Sequence, residues 1–248
     1  MINTFCFRCR IPGTPLFSSG RYGIAQCPIC GQAFTSPRAD DAELQKFYGN
    51  RRETFQSLGS MLWASPRLDL VQHWAGGNRL LDVGCDRGDF LAAAIWRGFR
   101  AIGIDVSERN VTECLKKGLP AISGTIESQR FLPGNFDAVT FWDVLEHVPD
   151  PATALTEANR ILAPEGVLAT SCPDFDSWGR KTFGGNWSHL HPNQHLWHFT
   201  GETLGKLFVE CGFRPAYFTK DPLSLSNFGR VDHMVLISIK TKEASWLN

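Results

Sequence analysis

The chain has 248 residues, of which 43% are hydrophobic and 20% charged, with 25 basic against 25 acidic side chains. That length suits one sizeable α/β domain with a small appendage. The charge balance disfavours a bulk nucleic-acid or anionic-membrane binder, which carries a basic excess, while a local basic patch stays open. The opening MINTFCFRCR has no apolar signal core and no run of about 18 apolar residues occurs, so the expectation is a cytoplasmic protein without membrane insertion.

Residues 1–38 hold two tight cysteine pairs, Cys6-x2-Cys9 and Cys27-x2-Cys30, separated by 17 residues. Each pair can place two sulfurs on one ion, and the gap allows a hairpin that brings the pairs together, so the spacing predicts a four-thiolate zinc ribbon. Four thiolates close the coordination sphere, which makes the predicted zinc structural. Four plain core cysteines are the alternative, but a segment this small lacks the apolar content to fold unstapled.

Residues 39–76 form an expected helical connector, with Leu44, Phe47 and Tyr48 and then Leu68, Val71 and Trp74 at helical spacing. From residue 77 to 248 strands and helices alternate, which predicts a parallel sheet. Arg79–Val83 is a strand that runs into a glycine turn, and Phe90–Trp96 a helix stopped by Gly98. Ala101–Ile104 is a second strand ending at Asp105; Ser107 caps a helix carrying Val111, Cys114 and Leu115. Phe136–Phe141 is a strand, Asp150-Pro151 opens a helix that ends before Pro164, and Gly166–Ser171 is the next strand. A helix over Thr200–Cys211 and strands near Pro215–Phe218 and His233–Ile239 complete the expected sheet.

The run Leu80-Leu81-Asp82-Val83-Gly84-Cys85-Asp86-Arg87-Gly88-Asp89-Phe90 is a strand, a glycine turn and a helix start. Gly84 permits the tight turn, Gly88 a close approach to the helix N-terminus, and Asp105 about 20 residues on offers a carboxylate to ribose hydroxyls. These features alone fit NAD or a flavin as well as other nucleotides.

The same run resembles motif I of class I S-adenosylmethionine-dependent methyltransferases, LDVGCGxGxF, with Asp86 standing at the middle glycine. Ile102–Ser107 resembles the family's second strand, Phe136–Val148 its FDxVxxxDVLEHV motif, and Arg160–Gly166 its RxLKPGG motif. The resemblance covers roughly residues 79–171. It implies a Rossmann-like, seven-stranded methyltransferase sheet and S-adenosylmethionine as cofactor. Gly84 and Gly88 then meet the methionine part, Asp105 the ribose and Glu127 the adenine amino group, with Phe141 and Trp142 bordering the pocket. Asp82, Cys85, Asp86 and Val106 complete the implied cofactor set. Glu127 read as a solvent-facing loop residue, and Phe141 and Trp142 read as core, are the competing assignments.

Residues Gly184–Phe199 place four of seven histidines within ten positions, and imidazole suits base work at neutral pH. This segment and the next helix resemble a methyltransferase subfamily with the pattern W…P-x-HL-x-x-F-[ST]-x-x-TL…GF, many of whose members accompany glycan or secondary-metabolite biosynthesis. In that resemblance His195 matches the recurrent histidine, so His195 and then His191 are the expected bases, acting on an oxygen or nitrogen of a small-molecule or nucleotide-sugar acceptor. A structural histidine bonded to backbone is the alternative at each position. Two further metal sets are considered and disfavoured. Pro192 breaks the helix that His191, His195 and His198 would need. Asp143, Glu146 and His147 resemble a proposed metal trio of ubiquinone-pathway O-methyltransferases, but the same string occurs in metal-free relatives. Three other readings compete: an NAD-dependent oxidoreductase, weakened by the missing third glycine; an RNA methyltransferase; and a zinc-ribbon adaptor whose cofactor site has decayed at Asp86.

Overall fold

A computed structural model describes residues 1–40, 42–44, 58–220 and 232–241, with the side chains of 58–62 excepted. Phe47 and Tyr48 of the expected connector lie outside the described residues.

Two sheets organise the chain. The larger has seven strands: β4 (Arg79–Val83), β5 (Arg100–Asp105), β6 (Ala121–Ser123), β7 (Phe136–Trp142), β8 (Leu162–Pro173), β10 (Phe213–Lys220) and β11 (His233–Lys240), in the order β10-β11-β8-β7-β4-β5-β6. Strands β4 to β8 pair in parallel, and β11 runs antiparallel to both of its neighbours. The order reverses at β4, whose neighbours are β5 on one side and β7 on the other, so the crevice beyond the carboxyl ends of β4 and β7 is the topological switch point where such sheets take ligands.

Period-two alternation explains why both faces are covered. Leu80, Ala138 and Ala169 point to one face, where they meet α1 (Leu58–Trp74) and α2 (Asp89–Trp96). Leu81, Val83, Val139, Phe141 and Leu168 point to the other, against α4 (Pro151–Ile161) and α6 (Gly201–Glu210), between which the short α5 (Trp178–Phe183) falls in the chain. A strand covered on both sides reads as a nearly continuous apolar run, as β4 and β7 do. On α3 (Glu108–Lys116) Val111 and Cys114 are buried, but Leu115, expected beside them, is 56% exposed because it falls outside the narrow stripe that faces the sheet. Helix α4 stops at Ile161, where the Leu162 backbone turns extended and opens β8, earlier than the strand expected from Gly166. Pro164 biases the residue before it to extended backbone, which favours this early start.

The smaller sheet has the order β1 (Thr14–Ser19), β2 (Tyr22–Gln26), β3 (Ala33–Thr35), β9 (Trp197–His198). Its fourth strand therefore comes from the histidine-rich segment, antiparallel to β3. The same apolar cluster runs without a break from Cys6, Phe7 and Phe34 through Trp197 and Phe199 to Leu81 and Phe141, so the cysteine segment packs on the large sheet's own core.

Candidate functional site

At the carboxyl end of β4 the chain passes through Gly84, Asp86 and Gly88 with φ of 71°, 48° and 83°. Asp86 thus adopts the left-handed backbone that the resemblance assigns to glycine, and aspartate is among the few side chains that tolerate it. A side chain on Gly84 would strike Val144 at 2.5 Å, and one on Gly88 would strike Leu119 at 2.6 Å and Cys114 at 3.0 Å. The room at Gly88 is filled by protein, and what these glycines provide is the turn and the close fit of α3 beneath it. Gly103 does the same from β5, where an added carbon would meet Cys85 Sγ at 2.6 Å.

Asp105 closes the loop from the neighbouring strand. One carboxylate oxygen accepts from the Asp86 amide at 2.9 Å; the other accepts from the Ser107 amide at 2.8 Å and Asn110 Nδ2 at 3.3 Å. Burial pushes its carboxyl up, against the pull of those donors. Asp82, one strand over, is 2% exposed and accepts from Thr140 Oγ1 at 2.7 Å. Burial and the charge of Asp105 raise it to about 7, with the Thr140 hydroxyl opposing. Helix α2 begins at Gly88 without a side-chain cap, so its first amides point out of the loop unclaimed by any capping side chain.

The other expected cofactor residues are spread more widely. Val106 is exposed beside Asp105, and the Gly124 amide donates to the Asp105 carbonyl at 2.9 Å, which brings the turn carrying half-buried Glu127 to the same edge. Phe141 and Trp142 are not brought together. Phe141 has no exposed surface and belongs to the core on the α4 and α6 face. Trp142 lies on the opposite face, 5.3 Å from the Phe90 ring and beneath Arg67.

A second cluster sits beyond the end of β7. Glu146, His147 and His195 each offer a ligand atom, and these atoms lie within 4.8 Å of one another. Asp143 is not among them; its carboxylate accepts from Ser171 Oγ at 2.9 Å and lies 3.7 Å from His233 Nε2. His147 Nδ1 donates to the Gln194 carbonyl at 3.1 Å, because a carbonyl can only accept. The His147 and His195 rings are 4.7 Å apart and the His191 and His195 rings 5.3 Å. His195 is 6% exposed, and burial with the surrounding imidazoles pushes it well below the usual histidine value. Glu146 is 2% exposed, its Oε2 has no hydrogen-bond partner, and burial drives its carboxyl well above the usual range. The two histidines expected as bases are therefore neighbours, with an acid beside one of them.

The four ribbon cysteines also converge, all four sulfurs lying within 4.8 Å of one another and Cys6 Sγ 3.5 Å from Cys30 Sγ. Tetrahedral zinc at a 2.3 Å bond length needs sulfurs about 3.8 Å apart. The two knuckles are built alike. Cys6 N donates to Ile11 O and Cys27 N to Gln32 O, both at 2.9 Å, and the residue after each second cysteine, Arg10 or Gly31, turns left-handed. The residues present fit a closed tetrathiolate site. Sequence reasoning missed Gln32 and Thr35, which follow the second knuckle in no motif, and Gly103, whose role appears only when β5 lies against the loop.

A methyltransferase domain family model matches residues 54–216. The chain belongs to that family. The ubiquinone biosynthesis O-methyltransferase of Pseudomonas aeruginosa strain UCBPP-PA14 is 32% identical over 148 residues, which is 53% of this chain and 62% of that protein. The chain thus spans about three fifths of the length of this curated relative. Among solved structures, the Burkholderia thailandensis 1,6-didemethyltoxoflavin-N1-methyltransferase, with bound 1,6-didemethyltoxoflavin and S-adenosylhomocysteine, superposes with a TM-score of 0.62 at 20% identity, covering 92% of this chain and 99% of that one. The [4+2]-cyclase SpnF superposes with a TM-score of 0.52 at 20% identity, over 71% and 81% of the two chains. At these identities the likeness establishes the Rossmann-like methyltransferase fold, and the cyclase shows that the fold alone does not name a reaction. The matched family residues begin at 54, so the cysteine ribbon lies outside them. Among the described residues no helix is long and apolar enough to cross a membrane.

Proposed function

We propose that the chain is an S-adenosylmethionine-dependent methyltransferase that acts on an oxygen or nitrogen of a small-molecule or sugar-type acceptor. The observation that carries the cofactor is the Asp105 carboxylate held at the glycine loop, one oxygen on the Asp86 amide and the other on Ser107, one strand over from the switch point of the sheet. When bound, the cofactor supplies an activated methyl group on a sulfonium. Asp105 then binds the ribose, the uncapped amides of α2 face the methionine end, and Glu127 stands at the adenine side. Asp86 keeps the left-handed turn, which speaks against reading the loop as decayed.

In-line displacement at a methyl group needs little covalent help, so positioning and water exclusion supply much of the rate. A hydroxyl or ammonium acceptor still has to lose a proton. His195 is held neutral by its surroundings and is therefore in the form that accepts one, and the Glu146 carboxyl lies within the same cluster. The ribbon cysteines are assigned to a structural zinc, on the fit of their four sulfurs.

Calorimetric titration with S-adenosylhomocysteine, run in parallel with NAD⁺, tests the reading. Micromolar binding of the former alone is expected. Binding of NAD⁺ alone would overturn the assignment in favour of redox chemistry, and binding of neither would raise the adaptor reading above the enzyme.

A further inference from the structure

Buried and outside every recognised motif, Thr35 joins the ribbon to the histidine cluster. Its hydroxyl donates to the His195 carbonyl at 2.7 Å and lies 3.0 Å from His198 Nε2. Since its one hydrogen goes to the carbonyl, the oxygen must accept from His198, which fixes that ring with its proton on Nε2. The Thr35 amide donates to the Leu196 carbonyl at 3.0 Å, and Gln32 Nε2 donates to the His198 carbonyl at 2.9 Å. Two links lead from here to the cysteines. The Gln32 carbonyl receives the Cys27 amide, and Phe7, between Cys6 and Cys9, sets its ring 4.7 Å from Trp197. On the far side, the Leu196 and Trp197 amides donate to the Glu146 carbonyl at 2.8 and 3.2 Å. Residues 195–198 are thus clamped between the ribbon and the turn after β7. His147, His191, His198 and Glu146 surround the His195 ring, and Arg180 faces His198.

We propose that Thr35 is a positioning residue: the strand built on the four-cysteine site holds the His195 backbone and the His198 ring, so that metal occupancy of the ribbon governs the geometry of the histidine cluster. The proposal rests on reading His195 as the base, but its structural content stands apart from the cofactor. Loss of either the metal or the Thr35 hydroxyl releases one jaw of the clamp, and the other jaw at Glu146 cannot hold the segment alone.

The test uses the full zinc-loaded chain with ¹⁵N-labelled histidine, amide exchange read at Leu196 and Trp197, and ring signals assigned by His195→Gln and His198→Gln. In Thr35→Val those two amides should exchange about tenfold faster, and the His195 and His198 ring signals should move, while zinc is retained. Thr35→Ser should restore both readouts, which a purely volumetric role would not. Chelation of the wild type should reproduce the valine pattern. Should the valine variant fail to fold, Gln32→Leu removes the neighbouring donor and should shift the same signals in the same direction. Unchanged exchange and ring signals in Thr35→Val, or chelation that loosens residues 1–38 while leaving 195–198 protected, would overturn the proposal. Wild-type protein that binds no S-adenosylhomocysteine yet passes these tests would sink the cofactor reading and leave the coupling standing.

Discussion

The loop edge around Asp105 and the junction around His195 are both buried and both dense in titratable groups, yet the chain assembles them by opposite routes. The loop edge takes its main parts, Asp82, the glycine turn and Asp105, from one local unit of a strand, a turn and the next strand. The junction gathers Thr35, Glu146, His147 and His195 from positions spread over more than half of the chain. Burial acts on the two with opposite sign, raising the acids of the edge and lowering the histidines of the junction. Local units can work once one strand pair forms, whereas the junction exists only when ribbon, lid and sheet are all in place.

The harshest way to break this comparison is to remove the ribbon's metal ligand. Cys27→Ser should cost on the order of 5 kcal/mol or more, because metal binding in such a segment is largely its folding free energy. Hydrogen exchange should show residues 1–38 and 195–198 losing protection while β4, β5 and β7 keep theirs. Simultaneous loss everywhere would mean that the two regions are one cooperative unit and that the contrast between them is false.

Acid and base titrations sharpen the contrast next. Asp82 is raised from 3.8 to about 7 in the folded protein, so the folded state binds the extra proton between those values. Its contribution therefore declines as pH rises from about 4 to about 7 and stays lost above, by roughly 4 kcal/mol at the upper bound. His198 is lowered from 6.5 to about 3, so the unfolded state binds the extra proton, and stability is gained as pH rises from about 3 to about 6.5. Denaturant titrations across that range should show Asp82→Asn losing the decline and His198→Gln losing the rise. If both variants changed the slope in the same direction, one of the two burial assignments would be wrong.

Asp105→Asn probes the loop edge without disturbing the junction. Its carboxylate accepts three hydrogen bonds in the protein and is assigned a ribose as well, so the amide should weaken S-adenosylhomocysteine binding by about 10- to 100-fold, roughly 1.5–3 kcal/mol. Exchange at Leu196 and Trp197 should stay as in the wild type. Unchanged affinity would defeat the ribose assignment.

How much of this was legible beforehand follows the same division. Most strands and the glycine turn could be read because each rests on local periodicity or on backbone angles that few side chains accept, and Asp105 because it ends one of those strands. The four cysteines could be read because metal geometry imposes spacing. Thr35 and Gln32 could not, since a hydroxyl in a strand or an amide just before it signals nothing until its partner 160 or more residues away is known. Phe141 and Trp142 mislead as a pair for another reason. Consecutive strand residues face opposite sides of a sheet, and here they lie in different cores.

The finest test falls on Glu127, where the sequence left a cofactor role and a plain loop role side by side. Its turn is tied to the loop edge through the Gly124 amide on the Asp105 carbonyl, and the side chain is half-buried. A carboxylate that accepts from an adenine amino group contributes about 1 kcal/mol, so Glu127→Gln should weaken S-adenosylhomocysteine binding roughly fivefold. The glutamine keeps an acceptor oxygen, which is why the effect stays small, and Glu127→Ala should cost more. Because an amino group on the ligand is what the acid is assigned to meet, an analogue with hydrogen in place of the 6-amino group should bind wild type and Glu127→Ala with similar affinity. Equal losses for both ligands would instead place Glu127 in the fold of the turn and leave the adenine side of the edge without an acidic partner.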